Sequence, residues 1–94
     1  MAAYLIAETR NVRDPELMKE YVELAVADTE AAGGKVVAMG PGGRLEGDWE
    51  PERLVVVEFE SMAALKAWYE APSYQKLIPM RQEASDSKLV IVGE

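Results

Sequence analysis

The chain has 94 residues, enough for one domain over 1–94 and too few for a second core. Hydrophobic residues make up 49%, too many for a disordered chain. Ten Lys and Arg against seventeen Asp and Glu give a formal charge of −7, which argues against nucleic-acid or membrane-surface partners. Cysteine and histidine are both absent, which excludes disulfides, thiol catalysis, zinc ribbons, iron–sulfur ligation and a His–carboxylate relay.

The apolar opening, Met1 to Ala7, stops at Glu8 and Arg10. It is too short for a signal-peptide core and has no basic lead. No stretch approaches the roughly 20 apolar residues of a membrane span. A cytoplasmic protein is expected.

Tyr4 to Thr9 reads as a strand. Asp14-Pro15-Glu16 starts a helix: Asp14 can accept from the orphan amides, Pro15 suits the first position, and Glu16 complements the dipole. Its apolar stripe is expected along Leu17, Tyr21, Leu24 and Asp28, with Met18, Val22 and Ala25 beside it. Gly33-Gly34 stops it. Val36 to Met39 is a second strand, broken by Pro41-Gly42-Gly43, after which Arg44 to Glu46 are expected to resume pairing. Gly47 to Pro51 is a loop, and Leu54 to Glu60, rich in β-branched residues, is the third strand.

Ser61 caps a second helix that buries Met62, Leu65 and Trp68 or Tyr69 and ends at Ala71-Pro72. Ser73 is expected to cap a short third helix with Tyr74, Leu77, Ile78 and Arg81 inward, kinked or restarted at Pro79. Lys88 to Val92 closes the chain as a strand. The order β-α-β-β-α-(α)-β is the ferredoxin-like pattern of an α+β protein, with a four-stranded antiparallel sheet and its helices on one face.

Strand residues alternate faces, and here both faces are apolar. The small residues Ala3 and Ala7 mark the side that helices approach. Tyr4, Ile6, Leu54 and Val56 are left on the other, roughly 400–600 Å² of apolar surface and more than a monomer usually tolerates. A homodimer with the two sheets face to face covers it. The competing arrangement folds the third helix and the Gly47–Pro51 loop over this face in a monomer.

Few residues can carry chemistry. The first and third strands are read as parallel neighbours, which brings Glu8 and Glu58 side by side as an acid/base pair or leaves them solvated at the rim. Arg81 lies on an apolar line and needs either an acidic partner or a ligand carboxylate. Trp49, in a polar loop, requires a pocket, a partner subunit or a cavity to close. Tyr4, Tyr69 and Tyr74 are core or interface aromatics, any of which could present a hydroxyl. Gly40 to Gly43 lacks the Lys-Ser/Thr ending of a phosphate loop.

The segments Ala-Tyr-Leu-Ile-Ala-Glu before Asp14-Pro15-Glu16, Leu45-Glu46-Gly47-Asp48-Trp49 with Pro51-Glu52-Arg53, and Ala67-Trp68-Tyr69 with Pro72-Ser73-Tyr74-Gln75 and Arg81 resemble a bacterial family. It is the domain of unknown function family 1330, within the dimeric α+β barrel superfamily. The resemblance implies a homodimeric barrel. The superfamily includes cofactor-free monooxygenases, haem-degrading and peroxidase-like enzymes and muconolactone-isomerase-like proteins. Its haem branches use a histidine that this chain lacks, so no haem is expected. The family's repeated positions match as Asp48, Trp49, Arg53, Tyr74 and Arg81.

Two functions are carried forward. One is a site for a small acidic or aromatic ligand between the sheet and the third helix, lined by Tyr4, Trp49, Glu58, Tyr74 and Arg81, with cofactor-free oxidation or isomerisation over a Glu base. The other is a non-catalytic dimeric structural or partner-binding module. Neither calls for a metal or a cofactor.

Overall fold

Local signals set the ends of most elements in the computed structural model, which describes residues 2–93. Strand β1 spans Ala3–Arg10 and helix α1 spans Pro15–Ala31. The Asp14 carboxylate accepts from the Leu17 amide at 3.0 Å, and Pro15 sits where a missing N–H is harmless. Gly33, at φ +91°, takes the left-handed turn that ends α1. Gly34 is buried where a Cβ would stand 2.7 Å from both the Phe59 ring and the Thr29 methyl.

Strand β2 covers Lys35–Pro41 and β3 covers Arg53–Phe59. Arg44 to Glu46 do not resume pairing: β2 ends at Pro41, and the chain leaves the sheet as a long loop. Helix α2, Met62–Glu70, is capped by the Ser61 hydroxyl, which accepts from the Ala64 amide at 3.1 Å. Ala71 is extended before Pro72, as residues preceding proline prefer. The third helix is two helices, α3 at Pro72–Gln75 and α4 at Ile78–Ala84. Pro79 lies in the first turn of α4, where it starts a helix instead of breaking one. Ser73 does not cap α3; Ala71 holds that position, and Pro72 opens the helix. Strand β4, Asp86–Gly93, completes the sheet.

The strand order is β2-β3-β1-β4, antiparallel throughout. This corrects the reading of the first and third strands as parallel. The α1 crossover makes β1 and β2 parallel with a gap between them. Strand β3, following β2 with reversed direction, fills the gap and opposes both. The fold is ferredoxin-like α+β, with the helices on the side that carries Ala3 and Leu5. Ala3, Leu5, Val57 and Phe59 from the sheet meet Leu65, Trp68, Tyr74 and Leu77 from the helices in the core. The Trp68 ring centroid lies 5.4 Å from that of Phe59, inside the range of favourable aromatic pairs, and 4.4 Å from that of Tyr74, at the short limit of that range.

Helix α1 turns a different stripe inward from the expected one. Met18, Tyr21, Val22, Ala25 and Thr29 face the sheet, whereas Leu24 is 44% exposed. The two candidate stripes differ by a rotation of about one residue, which periodicity alone resolves poorly. Among the described residues no helix is long and apolar enough to cross a membrane.

The other face of the sheet carries Tyr4, Ile6, Leu54 and Val56, all half-buried, with Val90 and Val92 of the edge strand 58% and 55% exposed. No helix covers it. The loop between β2 and β3 curls over one end only, where the Gly42 amide donates to the Glu52 carbonyl at 2.9 Å.

Candidate functional site

A cavity of about 150 Å³ lies between the sheet and α1. Its walls are apolar: Leu5, Val55 and Val57 from the sheet, and Met18, Val22 and Ala25 from α1. Expected between the sheet and the third helix, the opening lies under the first helix instead. Tyr74 of α3 and Arg81 of α4 supply part of its lining. A cavity of about this volume in another apolar core takes up benzene.

Arg81 is the unusual member. Its side chain is 8% exposed, yet among the described residues no carboxylate pairs with it. Its Nη1 donates to the Tyr74 hydroxyl at 2.8 Å, while its buried Nε has no partner. The Tyr74 and Tyr21 hydroxyls share one hydrogen bond of 2.8 Å. That bond uses one of their two protons, so one O–H of the pair is left over. Trp68, which also lines the cavity, keeps its buried indole N–H unpartnered. Burial pushes the Tyr74 phenol well above its ordinary range, reinforced by Tyr21 and opposed by the Arg81 cation, so it stays a neutral donor near pH 7. The cavity thus offers surplus donors, one of them cationic, and among the described residues no Asp or Glu lines it. An anionic oxygen ligand is the chemical complement.

The remaining predicted residues divide between the two faces. Arg53 lines the cavity and is exposed. Tyr69 is 37% exposed and lies against Tyr74, with ring centroids 5.6 Å apart. Tyr4, Glu8 and Glu58 lie on the opposite side of the sheet. Tyr4 is in register with Glu58 and donates to it at 2.9 Å, whereas Glu8 is in register with Leu54. Four residues of strand separate Glu8 from Glu58, about 13 Å at ~3.3 Å per residue, so they form no shared-proton pair.

Glu8 is 3% exposed and clamps the long loop. Its Oε2 accepts from Arg10 Nη2 at 2.6 Å, from the Glu52 amide at 3.2 Å and from the Trp49 indole N–H at 3.3 Å. Trp49 is therefore tied to the uncovered face, and its ring remains 54% exposed. Among the described residues no group of three or more acidic side chains converges as metal ligands do.

Tyr21 and Trp68 are cavity residues that the sequence reading placed only in buried stripes. Polar tips on otherwise apolar stripes were their one available signal.

Together the fold and its cavity define a ferredoxin-like α+β protein with a half-open apolar cavity. The chain belongs to the family of domains of unknown function DUF1330, whose pattern it matches over residues 2–94. No curated protein matches it. A structure of a protein of unknown function from Rhodopseudomonas palustris is 24% identical, with a TM-score of 0.74 over 99% of this chain and 82% of that one. A mutant of SnoaB, a cofactor-independent oxygenase from Streptomyces nogalater, superposes with a TM-score of 0.72 at 8% identity, over 99% of this chain and 92% of that one. A dimeric ferredoxin-like protein of unknown function from Jannaschia sp. CCS1 gives 0.66 at 17% identity, over the whole of both chains. At these identities the likeness is one of fold.

Proposed function

We propose that this protein is a cytoplasmic homodimer that binds a small organic acid of about one aromatic ring, its carboxylate held by Arg81. The carrying observation is a buried guanidinium that lines an apolar cavity with no acidic side chain among the described residues to neutralise it. An unpaired buried charge is costly, and an anionic ligand that pairs with it relieves that cost. The Trp68 indole and the spare phenol proton of the Tyr21–Tyr74 pair supply further donors. Binding, not turnover by a carboxylate base, is the reading favoured, because Glu8 and Glu58 both stand on the far side of the sheet. The dimer is supported by the uncovered apolar face and by the fold shared with the dimeric Jannaschia protein.

Benzoate tests the reading. Millimolar benzoate should raise the melting temperature of the wild-type protein in a concentration-dependent way, by about 2.7 kcal/mol of stability at a hundredfold excess over Kd. Benzyl alcohol, which has the same ring without the charge, should not. Arg81→Met should abolish the response and leave the unliganded protein at least as stable, since it removes an unpaired buried charge. The proposal fails if benzoate and other single-ring acids leave the wild-type melting curve unmoved.

A further inference from the structure

Arg53 gives the cavity a second cation. It opens β3 on the helix-facing side of the sheet, lines the cavity and is exposed. Among the described residues it has no ion pair and makes no side-chain hydrogen bond. Thr9 stands beside it in register, and on the other side of Thr9 stands Ser87. Neighbouring strands are about 4.8 Å apart, so the Arg53 and Ser87 backbones are separated by about 10 Å. Ser87 and Arg81 together line both this cavity and a polar recess that Asp86, itself bonded to Asn11 and Arg13, also lines, which puts Arg81 at the β4 side of the same row. Two arginines thus line one cavity, Arg81 buried and Arg53 exposed, along an apolar wall and with no acidic side chain among the described residues lining the space. In a chain of net charge −7 this local excess of positive charge is built against the average.

Resting on the acid-binding reading above, we infer that the ligand is a diacid: two anionic groups on an apolar spacer of about one ring, the inner held by Arg81 and the outer by Arg53. A monoacid would satisfy the buried cation and leave the outer one facing water. A second carboxylate gains a charge-assisted hydrogen bond there and keeps its other oxygens solvated. Arg53 is then the residue that separates diacids from monoacids of the same ring size.

Calorimetric titration of the wild-type protein with benzoate, isophthalate, terephthalate and adipate tests this. The best diacid should bind about tenfold more tightly than benzoate, the size of one hydrogen bond to a charged group. The ratio of diacid to benzoate affinity should collapse toward one in Arg53→Gln, and should shrink with added salt because Arg53 is exposed. A wild-type ratio near one, or a ratio that Arg53→Gln leaves unchanged, overturns the inference while the acid site stands. Absence of binding by all four acids to the wild type sinks the acid site itself.

Discussion

Glu8 shows how a residue that looks chemical serves architecture. Its carboxyl is held below the ordinary range by the Arg10 guanidinium, helped by the Glu52 amide and the Trp49 indole, against the opposing effect of burial. Asp86 is lowered in the same direction by Asn11 and Arg13. A carboxylate with a depressed folded value stabilises the protein fully above its unfolded value, about 4, and loses that contribution as pH falls through the folded one. The wild-type melting temperature should therefore fall as pH drops below about 4. Glu8→Gln should melt lower at neutral pH and fall less steeply in acid, with Trp49 fluorescence reporting release of the loop. An acid profile unchanged by the substitution would shift the effect to Asp86. Tyr4 has its phenol raised by the Glu58 carboxylate that accepts its hydrogen bond, which suits a sheet-face contact and not a base.

Among the elements, α1 decides whether there is a site. It is held at both ends and not pressed onto the sheet between them. At its start the Arg13 amide donates to the Ala84 carbonyl at 2.8 Å, and at its end Gly34 lets the chain close on Phe59. The space beneath its middle is the cavity. Gly34→Ala would push a methyl into the Phe59 ring and the Thr29 side chain, and should destabilise the protein by about 1–3 kcal/mol in urea unfolding. A loss below a few tenths would mean that the helix can ride outward freely. The break between α3 and α4 has a comparable role. It lets Tyr74 and Arg81, on separate short helices, meet at 2.8 Å.

For the whole molecule, the question is what covers the second face of the sheet. The Gly42–Glu52 loop answers for the Glu8 end alone, so the monomeric arrangement is realised only in part. Val90 is exposed on the edge strand and belongs to that face, directly in register with Ile6. A lysine there should be harmless to a monomer and unfavourable in an apolar interface. Sedimentation should show a wild-type dimer at micromolar concentration and a Val90→Lys protein shifted toward monomer. A wild-type monomer under those conditions rules the dimer out.

Alternating β-branched strands, Asp14-Pro15 and Ser61 at helix starts, and Gly33 and Pro72 at helix ends made the order of elements legible, because each acts through its own backbone or its nearest neighbours. The side of the sheet that the helices cover was legible too, since Ala3 and Ala7 are small. Tertiary structure decided the rest. That β3 fills the gap between β1 and β2 is a tertiary choice, whereas its direction against β1, which separates Glu8 from Glu58, follows from the order of elements alone. The rotation of α1, which brings Tyr21 to Tyr74 and leaves Leu24 outside, depends on packing across the sheet. The unpaired state of Arg81 among the described residues depends on where their carboxylates lie, a matter of three-dimensional arrangement.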